Sequence, residues 1–167
     1  EETAKNLADF FGDLDTIRRA PLLLLLAVPD VGMEVAKAIG AFFAEADNEG
    51  VIDGLLAAGV IPQSSCEPSA AFVHSLTLAQ LLKSAKRLGM NLEGIGDKSL
   101  ETLGNHYRTV TELSAGAAEG VGAEPKGVRS GVMTQLSKAL AENGWQARLQ
   151  EAEAMVAELA ARAPAQA

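Results

Sequence analysis

The stretch Leu92-Glu93-Gly94-Ile95-Gly96-Asp97-Lys98-Ser99-Leu100 decides the fold. One apolar residue sits between two glycines, and a helix-forming sequence follows at once. Gly94 and Gly96 are expected to permit positive φ and a close approach of the backbone to another molecule. Ile95 is expected to tuck under the turn, and the amides of Gly96 to Lys98 would open a helix N-terminus. Unpaired N–H groups and the positive end of the helix dipole bind an anion without a large basic patch, so a phosphate is expected here, with Lys98 beside it. A lone Gly-x-Gly before a helix is more often an ordinary turn between two helices, so recurrence has to decide.

The pattern recurs. Val28-Pro29-Asp30-Val31-Gly32-Met33-Glu34-Val35-Ala36-Lys37 is followed by Ile39 and Phe43 at helical spacing. Here Pro29 fixes the turn and Ala36 lets two helices approach. A third turn is read at Gly120-Val121-Gly122. Its spacing then slips, with Pro125 and Lys126 where a small apolar residue should pack. Val128, Val132 and Leu136 resume the apolar stripe late, which points to an insertion. A fourth hairpin is half present as Glu1-Glu2-Thr3-Ala4-Lys5. A shift of 96 residues sets Leu7 on Leu103, Phe11 on Tyr107, Leu14 on Val110 and Ile17 on Leu113. A shift of 90 sets Asp30-Val31-Gly32 on Gly120-Val121-Gly122. The two halves therefore read as copies of one unit. The first copy lacks the opening helix that the second has at 76–89, as though truncated at residue 1.

Composition bounds the rest. The 167 residues are 48% hydrophobic but only 4% aromatic, and Ala and Leu dominate where a sheet would need β-branched residues, so an all-α fold is expected. Helices are predicted at 2–11, 14–19, 21–27, 33–45 and 48–58, with Gly59 as a C-cap, and at 77–88, 97–106, 109–114, 128–142 and 145–161. Two prolines and small polar residues break the periodicity at Pro62 to Pro68. This divides the chain into a helix-hairpin-helix unit at 1–61, a linker at 62–75, a second unit at 76–162 and a tail at 163–167. Cys66 is the one cysteine, which excludes a disulfide or a four-thiolate zinc site and fits a reducing compartment. The apolar run Leu22 to Val28 is far short of the ~20 residues that span a bilayer. With neither an initiator Met nor a leader, the chain reads as an excised fragment.

The net charge of −8 argues against a nucleic-acid partner until its distribution is considered. Residues 1–62 hold 4 Lys/Arg against 11 Asp/Glu, whereas residues 77–138 hold 8 against 6. Lys83, Lys86 and Arg87 fall on nearly one helical face, which reads as a solvated face with phosphate contact as the alternative, while Lys126 and Arg129 lie beside a hairpin that aims the chain at an anion. His74 and His106 are too isolated for metal or acid–base work, and Trp145 is expected in the core beside Leu149.

The strings Glu2-Thr-Ala-Lys-Asn-Leu-Ala-Asp-Phe-Phe-Gly-Asp-Leu-Asp15, Leu26-Ala-Val-Pro-Asp-Val-Gly32, Phe42-Phe-Ala-Glu45 and Leu55-Leu-Ala-Ala-Gly-Val60 carry a family likeness. Over residues 1–61 the chain resembles the helix-hairpin-helix domain of bacterial NAD-dependent DNA ligases, and residues 76–160 resemble the same unit more loosely. The expected fold is thus tandem helix-hairpin-helix units of SAM/RuvA-like helical DNA-binding architecture. The resemblance implies a bacterial, cytoplasmic parent enzyme that seals nicks in replication and repair through a lysine-adenylate, with NAD, Mg and Zn as its cofactors. Its partners would be nicked double-stranded DNA and other domains of the same polypeptide, with no membrane. The chain itself has no Lys-x-Asp-Gly motif, no cysteine cluster and no BRCT-like strand pattern, so no catalytic residue, cofactor or metal site is assigned to it.

What is expected is a monomeric, non-catalytic module that grips the duplex backbone without reading sequence. The candidate DNA-binding residues are Gly94, Ile95, Gly96, Asp97 and Lys98, then Val31, Gly32, Met33 and Lys37, then Gly120, Gly122, Lys126 and Arg129, with Thr3 and Lys5 from the half hairpin. Asp30 replaces the first glycine of its hairpin and turns a carboxylate towards any phosphate there. Two other readings stay open: a spacer or protein-interaction module, motivated by the irregular third hairpin and the acidity, and the helix-hairpin-helix region of another repair or recombination protein.

Overall fold

The computed structural model describes residues 2–62 and 67–164, so Cys66 lies outside the described residues. Eleven helices and no strand occur among them, which is the expected all-α class. No helix of the described residues is long and apolar enough to cross a membrane. The chain divides into two compact units, one of Glu1–Val73 with Leu159–Ala167 and the other of His74–Glu158.

The first unit holds α1 (Glu2–Phe11), α2 (Leu14–Arg19), α3 (Leu22–Leu25), α4 (Met33–Ala44), α5 (Ala46–Ala57) and α6 (Ala70–Ser75). Its core is the leucine run Leu23 to Leu26 with Leu7, Phe11, Val28, Val31 and Ala36, all buried. Asp13 starts α2 by accepting the Thr16 amide at 2.7 Å. Arg162, at the end of the long helix α11 (Trp145–Arg162), donates to Thr16 Oγ1 at 2.7 Å and pairs with Asp13. Burial alone would raise the Asp13 carboxyl, but the Thr16 amide and hydroxyl and the Arg162 guanidinium together hold it below its ordinary value. Arg18 clamps α2 to α5 through Glu49 and, at 2.8 Å, Asp53. Gly59 ends α5 at φ +89°, as expected.

The stretch 62–75, read as a linker, contains a helix. Phe72 of α6 is buried against Phe10, with ring centroids 4.5 Å apart, and edge-on against Phe11 at 5.7 Å. The Ser69 amide donates to the Asp9 carbonyl at 3.2 Å. Six residues cannot display a helical period, so only this long-range aromatic packing reveals the element.

The second unit holds α7 (Leu78–Arg87), α8 (Asp97–His106), α9 (Val110–Glu119), α10 (Val132–Ala141) and α11 up to Glu158. Thr77 and Thr109 cap α7 and α9 by accepting the amides of Gln80 and Glu112. Glu112 reaches back to accept the Arg108 amide at 2.8 Å. Leu82, Leu92, Ile95, Leu100, Leu103, Leu113 and Leu136 form the fully buried centre. Helices α7 and α8 cross at Gly104, where a Cβ would stand 2.6 Å from the Ala79 nitrogen. Helix α9 runs past the expected residue 114 because Ala115, Ala117 and Ala118 keep it going across Gly116 until Gly120 caps it. Helix α10 starts at Val132 rather than 128, after a left-handed Gly131. Trp145 is buried as expected, with the Arg148 guanidinium 3.8 Å from its ring centroid.

Candidate nucleic-acid interface

The turn between α7 and α8 is built from Leu92 to Gly96. The Ile95 amide donates to the Leu92 carbonyl at 3.1 Å, Gly94 takes φ +75°, and the Ile95 side chain is buried under the turn. Gly96 precedes α8 at φ −78°, ψ 162°, an extended backbone that any residue adopts, so only Gly94 meets the expectation of positive φ. Nor does packing demand glycine at 96, because an added Cβ would meet nothing within 4 Å. Among the described residues no acceptor takes the amides of Gly96, Asp97 and Lys98, which follow one another at the N-terminal end of α8.

Cations from elsewhere in this unit surround the turn. Lys86 of α7 donates to the Ile95 carbonyl at 2.6 Å. Arg129 brings a guanidinium nitrogen to 3.5 Å from where a Cβ on Gly94 would stand, and Lys98 is exposed on the first turn of α8. Gln135 of α10 secures the approach by donating to the Glu93 carbonyl at 2.9 Å. Lys83 is spent differently, pairing with Glu101 at 2.8 Å; that bond holds the ammonium above and the carboxyl below their ordinary values.

The turn between α3 and α4 repeats this backbone residue for residue. The Val31 amide donates to the Val28 carbonyl at 3.2 Å, Asp30 takes φ +63°, Val31 is buried, and Gly32 leads into α4 at φ −79°. A Cβ on Gly32 would also meet nothing within 4 Å, and the amides of Gly32, Met33 and Glu34 have no acceptor among the described residues. Asp30 occupies the position of Gly94, a left-handed conformation that aspartate tolerates better than most side chains. Lys37 is exposed along α4, and Lys5 is exposed and Thr3 half-buried on α1.

The third hairpin is not at Gly120-Val121-Gly122. Gly120 caps α9, and Val121 is 73% exposed where a buried anchor was expected. The turn recurs at Pro125-Lys126-Gly127-Val128, with the Val128 amide on the Pro125 carbonyl at 2.9 Å and Gly127 at φ +95°. The pattern shared by all three is an apolar residue, any residue, a left-handed residue and an apolar anchor, and searching for those four positions would have found it. Three more residues, Arg129 to Gly131, intervene before α10. Glu124 then takes two of the nearby amides, accepting from Gly122 at 2.7 Å and Gly131 at 2.8 Å, and these N–H groups hold its carboxyl below the ordinary range. His74 and His106 are exposed, and among the described residues no group of three or more His, Cys, Asp or Glu is gathered for a metal.

Comparison with known proteins places these turns in context. The family described as Helix-hairpin-helix motif matches residues 1–52. The chain is 82% identical over 121 residues, 72% of its length and 16% of the relative's, to a DNA ligase of Alcanivorax borkumensis. It is 36% identical over 170 residues, 99% of its length and 19% of the relative's, to a DNA ligase of Stenotrophomonas maltophilia. A DNA ligase of Neisseria meningitidis is 39% identical over 131 residues, 69% of this chain and 15% of that protein. No solved structure matches. The chain spans less than a fifth of the length of these relatives. With a helix-hairpin-helix match over the first unit, a ligase alignment running through both, and one turn built alike in each, the chain is similar to a helix-hairpin-helix segment of DNA ligases.

Proposed function

We propose that this segment is a non-catalytic module that binds duplex DNA through its phosphate backbone, without reading sequence, and so holds nicked DNA for an NAD-dependent ligase. The observation that carries this reading is the pair of glycines, Gly32 and Gly96, that neither φ nor packing requires. Each is followed by helix amides without an acceptor among the described residues. A phosphate oxygen can approach a glycine backbone that a Cβ would keep at a distance, and there accept two or three N–H bonds at the positive end of a helix. In the second unit Lys98 and Arg129 add their charge at the phosphate, and Lys86 adds its own from beneath the turn. Lys37, Lys126, Lys5 and Thr3 flank the first and third hairpins and the start of α1 as weaker, screened contacts. Gly120 and Gly122 contribute least, because Glu124 already holds the Gly122 amide.

In this reading nick sealing takes place on other parts of a longer cytoplasmic polypeptide, where NAD, Mg and Zn would be used. No chemical step is assigned to the side chains described here. Their task is positioning in replication and repair: fixed N–H groups hold the backbone so that the broken strand is presented in one geometry.

The test is Gly96→Val in the whole chain, titrated by fluorescence anisotropy with a labelled nicked duplex at fixed salt. Valine fits this φ and this open space, so the fold should survive with a melting temperature lowered by a few degrees at most, as losing a glycine N-cap implies, while the affinity falls about tenfold, or ~1.4 kcal/mol. Unchanged affinity would overturn the reading and favour the spacer role, which the self-occupied third hairpin supports on its own.

A further inference from the structure

Lys86 spends its charge on a backbone carbonyl. Its ammonium, on a half-buried side chain near the end of α7, donates to the Ile95 carbonyl at 2.6 Å. Lys83, one turn earlier on the same helix, takes a carboxylate instead, that of Glu101. The Ile95 carbonyl and the Gly96 amide are the two ends of one peptide unit. That unit is trans, so its C=O and N–H point in opposite directions. Lys86 therefore stands on the far side of the peptide from any acceptor that the Gly96 amide meets, and among the described residues that amide meets none.

A cation on a carbonyl does two things to the other end of its peptide. It draws electron density away from the nitrogen, which makes the N–H a stronger donor, as in any chain of hydrogen bonds that polarise one another. It also pins the peptide plane, so that the N–H has its direction before an anion arrives. The other two hairpins lack this device. Lys86 stands nine residues before the anchor Ile95; the same place before Val31 and Val128 is held by Leu22 and Glu119. An apolar side chain and a carboxylate have no proton to give a carbonyl, and among the described residues no donor reaches the carbonyl of Val31 or Val128.

We propose that Lys86 is a positioning residue of the second hairpin, which acts through the Ile95–Gly96 peptide to make the Gly96 amide a fixed and strengthened donor, and does not itself touch the anion. This rests on the reading of that hairpin as a seat for phosphate. It sets the second hairpin apart from the first, whose backbone is the same, and it gives Lys86 a task different from that of Lys98, which is exposed on the first turn of α8.

Two measurements on the full chain test it. The first contains no DNA and follows by NMR the exchange of the Gly96 amide proton with water, because base-catalysed exchange of an open N–H reports how readily it gives up its proton. Lys86→Met should slow this exchange about threefold or more, whereas Lys83→Met, which removes the same charge from the same helix, should leave it unchanged. Lys86→Arg, which keeps a charged donor, should restore most of the wild-type rate. The second is the affinity for nicked duplex as a function of salt. Lys98→Met should lower the slope of log affinity against log salt by about one, as expected of a lysine on a phosphate; Lys86→Met should lower affinity about threefold at every salt concentration and leave the slope as it was. The proposal is overturned if Lys86→Met does not change Gly96 exchange, if Lys83→Met changes it equally, if affinity does not fall, or if the slope falls by about one. Unchanged affinity in Gly96→Val removes the phosphate reading, whereas unchanged Gly96 exchange in Lys86→Met removes this proposal alone.

Discussion

The hairpins at Val28–Gly32 and Leu92–Gly96 share one backbone and differ in charge. Both bury an apolar anchor, both leave a glycine facing open space, and both open a helix with unpaired amides. The second adds Arg129, Lys86 and Lys98 around the turn; the first puts an aspartate at the left-handed position. Shape in this motif is thus fixed by the anchor and the left-handed residue, and affinity for an anion is adjusted separately by what surrounds them.

Shape is the larger quantity and the first to break. Ile95 is 1% exposed and Val31 4%. Ile95→Ala should cost about 3 kcal/mol and Val31→Ala about 2 kcal/mol in urea denaturation. Losses below about 0.5 kcal/mol for both would mean that the anchors do not set the turn.

Charge should be transferable between the two. Gly94→Asp gives the second hairpin the residue of the first at a φ that aspartate already adopts in this chain, so the fold should survive while a carboxylate meets the incoming phosphate. Duplex affinity should drop about tenfold, the size of effect expected when one charge-assisted hydrogen bond is removed. The reverse change, Asp30→Asn, keeps a side chain that tolerates the left-handed region and removes the charge. It should raise affinity about threefold at low salt and less at high salt. If Gly94→Asp is neutral in the same titration, the second hairpin does not touch phosphate.

Much of this was legible in the residues. The long helices announced themselves by apolar periodicity, with Gly59 beyond the end of α5, and the buried anchors by their place between turn residues. Helix α6 was hidden because its cause is Phe72 against Phe10 and Phe11, some sixty residues away. The third hairpin was misplaced because Gly120-Val121-Gly122 imitates the motif locally, whereas Val121 is 73% exposed and the half-buried Val128 follows the left-handed Gly127. At the site, the open amides could be expected from helix geometry alone. The positions of Arg129 and Lys86 could not, since tertiary packing delivers them from distant parts of the unit, and neither could the Glu124 cap, which depends on a loop folding back.

Glu124 and Asp13 supply the smallest contrast, a carboxylate in each unit that backbone amides help to hold below its ordinary value. A group whose folded pKa is depressed stabilises the fold fully above its unfolded pKa and ceases to do so as the pH falls through the folded value. Neither contribution therefore changes between pH 7 and pH 5; both fade below their ordinary values of 4.5 and 3.8. Asp13 is anchored by Arg162 and Thr16, so its protonation should loosen the start of α2 and the end of α11 together. Glu124 is held by backbone amides, those of Gly131, Gly122 and its own residue, so its protonation should release the loop before α10 while the helices stay intact. An NMR titration following the Gly122 and Gly131 amides reads this directly. Both should shift with one apparent pKa below 4.5, and Glu124→Gln should remove the transition. A midpoint at or above 4.5 would mean that the carboxylate does not sit on those amides, and that the third hairpin is as open to an anion as the other two.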